Sequence, residues 1–466
     1  MIRPLLASTA GLLALAPLGA AQAQLTEITG LGRCVDMDPK GEFLLTSLGY
    51  VWDPSGTTTP NFGADEAVAI SLGGAFLAGN NDDGTQNTPA WNDGTDWISL
   101  GGIAGSTGCG SDLGSALDIS SDGMTVVGLA WNGCTTDAFK WDAVTGVLTP
   151  LPNSGTESAR ANCTNSDGSW VGGWDRGNFS SNRPAVWDPT DTVTILNTQS
   201  GEVWALTSDG SVAVGQLGSN AAMWETASGV ETLLPILPGF EMSQSFAFGV
   251  DATGTTVVGQ AGSPPFATPT AFYWREDIGT VDLNVLAAEL GAPAPSAPYS
   301  NAVAISDDGN VIAGALQGFF LPDNAYYLEL PEAWLRTDGT TSISLAAGGS
   351  QGLNINAGPE QAGKLYLMLG SLSGTSPGAA AGTGTLPLNF DAYTQVLLTS
   401  PNSIVSNSIG NLDSVGASSA TLTIPSNSNA AAAGLTMHHA YLVIDILPGL
   451  LGVGEISNPV SVDLVP

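Results

Sequence analysis

Basic residues are scarce in this chain. Ten Lys and Arg stand against 43 Asp and Glu, a formal net charge of −33. A surface of that sign repels polyanions, which excludes nucleic acid and anionic membrane surfaces as partners and favours solubility and cations. Histidine is nearly missing as well. The two present, His438 and His439, are neighbours near the C-terminus, so on a strand they point to opposite faces and at most one can serve a given site. Everything before them is without a Ser-His-Asp triad, and no P-loop or His-Glu-x-x-His motif occurs. After the first residues no apolar, uncharged run approaches the roughly 20 residues that a membrane-spanning helix needs. Cysteine is limited to Cys34, Cys109, Cys134 and Cys163, whose spacing fits no zinc motif.

What the chain has in abundance is glycine, and it recurs with a period. Turn glycines fall at Gly41, Gly74, Gly123, Gly168, Gly210, Gly254 and Gly309. The spacing is about 40 to 50 residues, the range of propeller repeats. A second glycine follows five residues later at Gly79, Gly128, Gly173, Gly215, Gly259 and Gly314; the first repeat departs, with Thr46 there. Trp52, Trp91, Trp141, Trp187, Trp224, Trp274 and Trp334 close the units. Within one unit, residues 116 to 128 form two β-rich runs joined by Asp122-Gly123, a strong hairpin signal because the turn needs positive φ. Two further runs follow, around Trp141 and around Leu148. Four antiparallel strands repeated seven times predict a seven-bladed β-propeller.

The segment Leu25 to Leu31 looks like a fourth strand with no first three before it. Its expected use is ring closure, completing the last blade beside the strand that carries Trp334; Thr341 to Leu345 is the competing candidate for that fourth strand. Upstream, Met1-Ile2-Arg3-Pro4, an apolar run from Leu5 to Leu18 and Ala21-Gln22-Ala23 have the form of a secretory signal peptide over residues 1–23. The protein is therefore expected to be secreted, extracellular or periplasmic, where disulfides are permitted. Cys109 and Cys134 lie in loops that emerge on one face of the third repeat, which makes them the expected pair.

The repeat units resemble the HAF-type extracellular repeat family, which runs Ala-x-x-Ile-Ser-x-Asp-Gly-x-x-Val-Val-Gly and then His-Ala-Phe-x-Trp. Residues 116 to 128 with Asp137-Ala138-Phe139-Lys140-Trp141, Thr270 to Trp274, and Ala302 to Gly309 carry the resemblance. It covers about residues 30 to 337, lacks the family's histidine in every unit, and implies a secreted repeat protein without a defined activity.

After Arg336 the repeat stops and the composition turns to Gly, Ala, Ser, Thr and Leu, with Lys364 the one cation after residue 337. Short strands around Leu367, Leu397, Leu422 and Tyr441 predict a small β-sandwich over 338–466, after a propeller spanning 24–337. The turn acids Asp122, Asp167, Asp209 and Asp308 are expected to serve turn geometry, since Lys40, Gly73 and Thr253 replace them elsewhere while the glycine stays. Function is expected in the irregular loops after the second glycine. There Trp131, Trp174 and Asp175 are candidates for ligand binding by stacking and polar contact, and Asp82 and Asp83 offer oxygen ligands suited to Ca²⁺. The sequence thus points to a secreted binding protein with a glycan or protein ligand. The alternative is a propeller enzyme that attacks polysaccharide through paired carboxylates.

Overall fold

The computed structural model describes residues 22–60, 66–82, 85–262, 268–317, 324–382, 384–447 and 450–466. Residues 1–21 of the expected signal peptide and Asp83 lie outside the described residues. The chain forms two compact units, Ala23–Pro331 and Glu332–Pro466, so the division falls after Pro331 rather than after residue 337.

The first unit is a β-propeller. Among the described residues it contains seven four-stranded antiparallel sheets, each with strands in sequence order except the last. Their first strands are Cys34–Met37, Glu66–Ile70, Gly114–Ile119, Ala159–Thr164, Gly201–Leu206, Ser245–Val250 and Tyr299–Ile305. Each of these strands adjoins the next, and the last adjoins the first, so the sheets close into a ring. The seventh sheet takes Gln24–Ile28 as its outer strand, paired antiparallel with Asn324–Glu329 from Gln24↔Glu329 to Ile28↔Ala325. Ile28 is buried there with Ala325 and Tyr327, and Glu27 accepts from the Ser296 N–H at 2.6 Å. Closure therefore occurs, but not beside Trp334. The strand Trp334–Thr337 pairs with Gly349–Asn356 in the second unit, and Ser342–Ser344 pairs there with Val460–Val465. Register explains the difference. Val126 faces Trp141 and Ala213 faces Trp224, whereas the matching Ile312 faces Leu328, so a leucine fills the seventh tryptophan position.

The repeated residues have physical reasons in the packing of sheet against sheet. The turn glycines have φ near +70° and lie against the preceding sheet: a Cβ on Gly123 would sit 2.2 Å from Phe76, and one on Gly210 2.4 Å from Trp170. Three residues before each turn glycine stands a buried polar side chain, in order Asp38, Ser71, Ser120, Asn165, Thr207, Asp251 and Ser306. Each accepts from the backbone N–H two residues past the glycine, at 2.8 to 3.0 Å. That bond satisfies an inward N–H that the tight turn would otherwise leave buried and unpaired. The tryptophans pack between sheets, with Trp91 5.2 Å from Trp141 and its Nε1 donating to Gly123 O at 2.9 Å.

The second unit contains a four-stranded sheet and a larger sheet whose path order runs through Ser342–Ser344, Val460–Val465, Thr436–Leu447, Leu365–Ser371 and Ile409–Asn411. Leu353, Ile355 and Leu422 from one sheet and Tyr366, Met368 and Val462 from the other share a single core. His439 is buried in it, with Nε2 2.8 Å from the Tyr393 hydroxyl, while His438 is only partly buried. Burial drives His439 down to about 3, so it is a neutral core residue.

Candidate functional site

All seven first strands face one cavity of about 530 Å³ on the ring axis. Each of these strands carries an irregularity at the same place. The pairing with the second strand skips one residue: Val35, Val68, Leu117, Asn162, Trp204, Phe248 and Val303. A β-bulge places two residues opposite one and re-aims a side chain, and all seven skipped residues line the cavity. The second glycine of the repeat is the partner of this bulge. A Cβ on Gly79, Gly128, Gly173, Gly215, Gly259 or Gly314 would lie 1.9 to 2.3 Å from a first-strand carbonyl oxygen, a collision with backbone.

The two ends of the cavity differ. At the Asp-Gly end, residues two before the turn glycines link sheet to sheet by backbone hydrogen bonds: Leu72 N to Ser121 O, Ser121 N to Ser166 O, Ser166 N to Ser208 O, Ala252 N to Asp307 O and Asp307 N to Pro39 O, at 2.7 to 3.1 Å. Pro39 has no N–H to pass on, and Ser208 Oγ donates to Asp307 instead of to the sixth sheet. This girdle ties the turn ends of neighbouring sheets together. The loop end is lined by Arg33, Arg160, Gln260 and Asn301.

The wall is also uneven around the ring. Sheets one to three present Val35, Val68 and Leu117 with two carboxylates, Asp36 and Asp118. Asp36 accepts from Ile70 N at 2.8 Å, and Asp118 from Thr164 N at 2.7 Å and Ile119 N at 2.8 Å, so each carboxylate ties its sheet to the next. Burial, and then the Asp118 charge, pushes Asp36 well above the carboxylate range; burial pushes Asp118 to about 7. Cys34 and Cys163, both unbridged, lie beside them with thiols raised by burial. Sheets four to six present Asn162, Trp204 and Phe248. The Arg160 guanidinium lies 5.5 Å from both the Trp174 and Trp204 rings and pairs with Glu202 at 2.7 Å. Arg176 covers Trp174 at 5.3 Å, Trp204 meets Phe248 edge-on at 6.0 Å, and Phe248 stacks with Phe246 at 5.8 Å. A ladder of cations and rings thus runs from the loop face of sheet four into the cavity.

The loop residues singled out from sequence take other places. Asp175 is fully buried and accepts from Ser154 N at 2.6 Å and Gly177 N at 2.5 Å, pinning two loop segments together. Trp174 is 7 % exposed and closed in by arginines, and Trp131 is half-buried. Trp174 and Asp175 therefore serve the frame rather than an open surface. Asp82 is exposed at the end of its strand, and among the described residues no group of three or more His, Cys, Asp or Glu is placed to hold a metal ion. Cys109 and Cys134 form a disulfide across two loops of the third sheet. Trp204 and Phe248, which sequence reasoning passed over, carried one signal: an aromatic side chain where four of the other repeats have Val or Leu.

Among the described residues no helix is long and apolar enough to cross a membrane. No family model matches the chain, and none of the curated proteins matches it. Among solved structures it is similar to a putative TolB from Agrobacterium tumefaciens (15% identity over 46% of this chain and 89% of that one, TM-score 0.34). It is also similar to the β-propeller domain of the Trilobed protease from Pyrococcus furiosus (10% identity, 72% and 92% covered, TM-score 0.36). A third similar structure is the Cps50 (Swd1) β-propeller domain from Myceliophteria thermophila (12% identity, 65% and 98% covered, TM-score 0.41).

Proposed function

We propose that this is a secreted binding protein, a seven-bladed propeller followed by a β-sandwich, which holds its ligand in the axial cavity from the loop end. The observation that carries the reading is the bulge in all seven first strands, which aims one side chain per sheet into the cavity while the surrounding frame stays constant. A cavity of about 530 Å³ falls within the size range of small-ligand sites. Filling it tests the reading. Val303→Trp adds a large side chain at a bulge position, so a ligand found by array screening should lose binding in this variant while the melting profile stays intact; unchanged binding overturns the axial site.

The carboxylates favour a second reading as an enzyme on polysaccharide, because Asp36 and Asp118 face the same cavity and Asp118 is poised near neutral pH. Against it, both hold backbone N–H groups of the next sheet. Reducing-end release from polysaccharide by the wild type, abolished in Asp118→Asn with binding retained, would establish the enzyme.

A further inference from the structure

Trp204 and Phe248 line the cavity, are half-buried, and stand on adjacent first strands with ring centroids 6.0 Å apart. Their orientation is fixed by neighbouring side chains. Arg160 lies against Trp204 at 5.5 Å and is itself held by Glu202 and by Asn162, whose Oδ1 accepts from its Nε at 2.6 Å. Phe246 supports Phe248 from the other side at 5.8 Å. Aromatic walls of this stiffness suit a flat, partly apolar ring. The polar groups beside them suit hydroxyls: Gln260 Nε2 is taken by Gly262 O at 2.9 Å, which leaves its carbonyl oxygen as acceptor, and Asn301 Oδ1 is taken by Ala315 N at 2.8 Å, which leaves its amide as donor. Arg33 adds an exposed guanidinium at the same end. One apolar face with a rim of hydroxyls is the chemistry of a pyranose.

We infer that the cavity binds the terminal pyranose of an oligosaccharide, stacked on Trp204 and Phe248 with its hydroxyls toward Gln260, Asn301 and Arg33. This rests on the axial-site reading above and names the ligand class for it. Stacking on a fixed aromatic ring contributes enough that its loss should weaken binding about 10-fold.

The test is a titration of the full chain, followed by tryptophan fluorescence and calorimetry, with hexasaccharides of β-linked glucose, N-acetylglucosamine, mannuronate and galacturonate. At least one should bind. Trp204→Ala should then weaken it about 10-fold, and Trp204→Phe should restore most of the affinity. Preference for the uronates assigns Arg33 a carboxylate; indifference assigns it a hydroxyl, and both outcomes support the ring site. No binding by any of the four overturns the inference. Binding that resists Trp204→Ala and Phe248→Leu but is lost in Val303→Trp overturns the aromatic site and keeps the axial cavity, whereas resistance to all three overturns both.

Discussion

At Gly128 the missing side chain is a demand of the strand opposite, because the bulge drives the Ser115 carbonyl oxygen to 2.1 Å from where a Cβ would stand. This glycine has no positive φ, so its cost of replacement is close approach rather than backbone strain. Gly128→Ala is expected to destabilise the ring by about 1–3 kcal/mol, the range for an overpacked site, measured by denaturant unfolding. A loss under ~0.5 kcal/mol would show that the bulge relaxes freely. Sheet one has Thr46 at the matching position and pairs it with Cys34 across the same kind of bulge, so that sheet has already adjusted its spacing. The glycines were plain in the sequence. Their partner was not, because an extra residue in a strand changes no composition and appears only when the two strands are set side by side. The same holds for Ser120, Thr207 and Ser306, whose hydroxyls look like ordinary turn residues until each is seen to accept a buried N–H.

Among the elements, the N-terminal strand is the one whose role can be isolated. Ile28 is 4% exposed and packs against residues from both ends of the ring, Met37 and Leu44 on one side and Ala325 and Tyr327 on the other. Ile28→Ala is expected to cost about 2–5 kcal/mol, the usual price of a large-to-small core change, and to lower one thermal transition only. Calorimetry of the full chain reads this directly; a variant that melts like the wild type would show that the strand is not part of the ring. The existence of the strand was legible because a fourth-strand pattern stood alone at the start of the chain. Its partner was not legible, since Trp334 offered the expected residue at nearly the expected spacing. Only the register, with Leu328 opposite Ile312, separates the true third strand from the tryptophan that follows it. For the site, loops drew attention because they vary, yet Trp204 and Phe248 lie inside strands that sequence pattern marks as frame.

Over the whole molecule, the two units carry opposite proton linkages. In the ring, Asp118 keeps its proton up to about pH 7 when folded, whereas an unfolded aspartate loses it near 3.9. The folded state binds the extra proton, so this contribution is present at pH below about 4 and is lost as pH rises to 7. In the second unit, His439 stays neutral down to about 3 while the unfolded histidine protonates near 6.5. Here the unfolded state binds the extra proton, so stability is full above about 6.5 and falls with pH, by at most about 1.4 kcal/mol per unit. Scanning calorimetry between pH 4 and 7 should show the gap between Asp118→Asn and wild-type ring transitions shifting in favour of the variant as pH rises. The second transition should fall as pH is lowered, and His439→Gln should flatten that fall. Parallel slopes in variants and wild type would refute both assignments. The bulges, finally, separate two properties that most binding sites entangle. Glycines, buried turn caps and the backbone girdle fix the ring, while Val35, Val68, Leu117, Asn162, Trp204, Phe248 and Val303 stand in seven equivalent slots that face the cavity. The cavity can accordingly be rewritten one letter at a time, and the seven-residue word V-V-L-N-W-F-V becomes the natural unit for diversifying what this scaffold recognises.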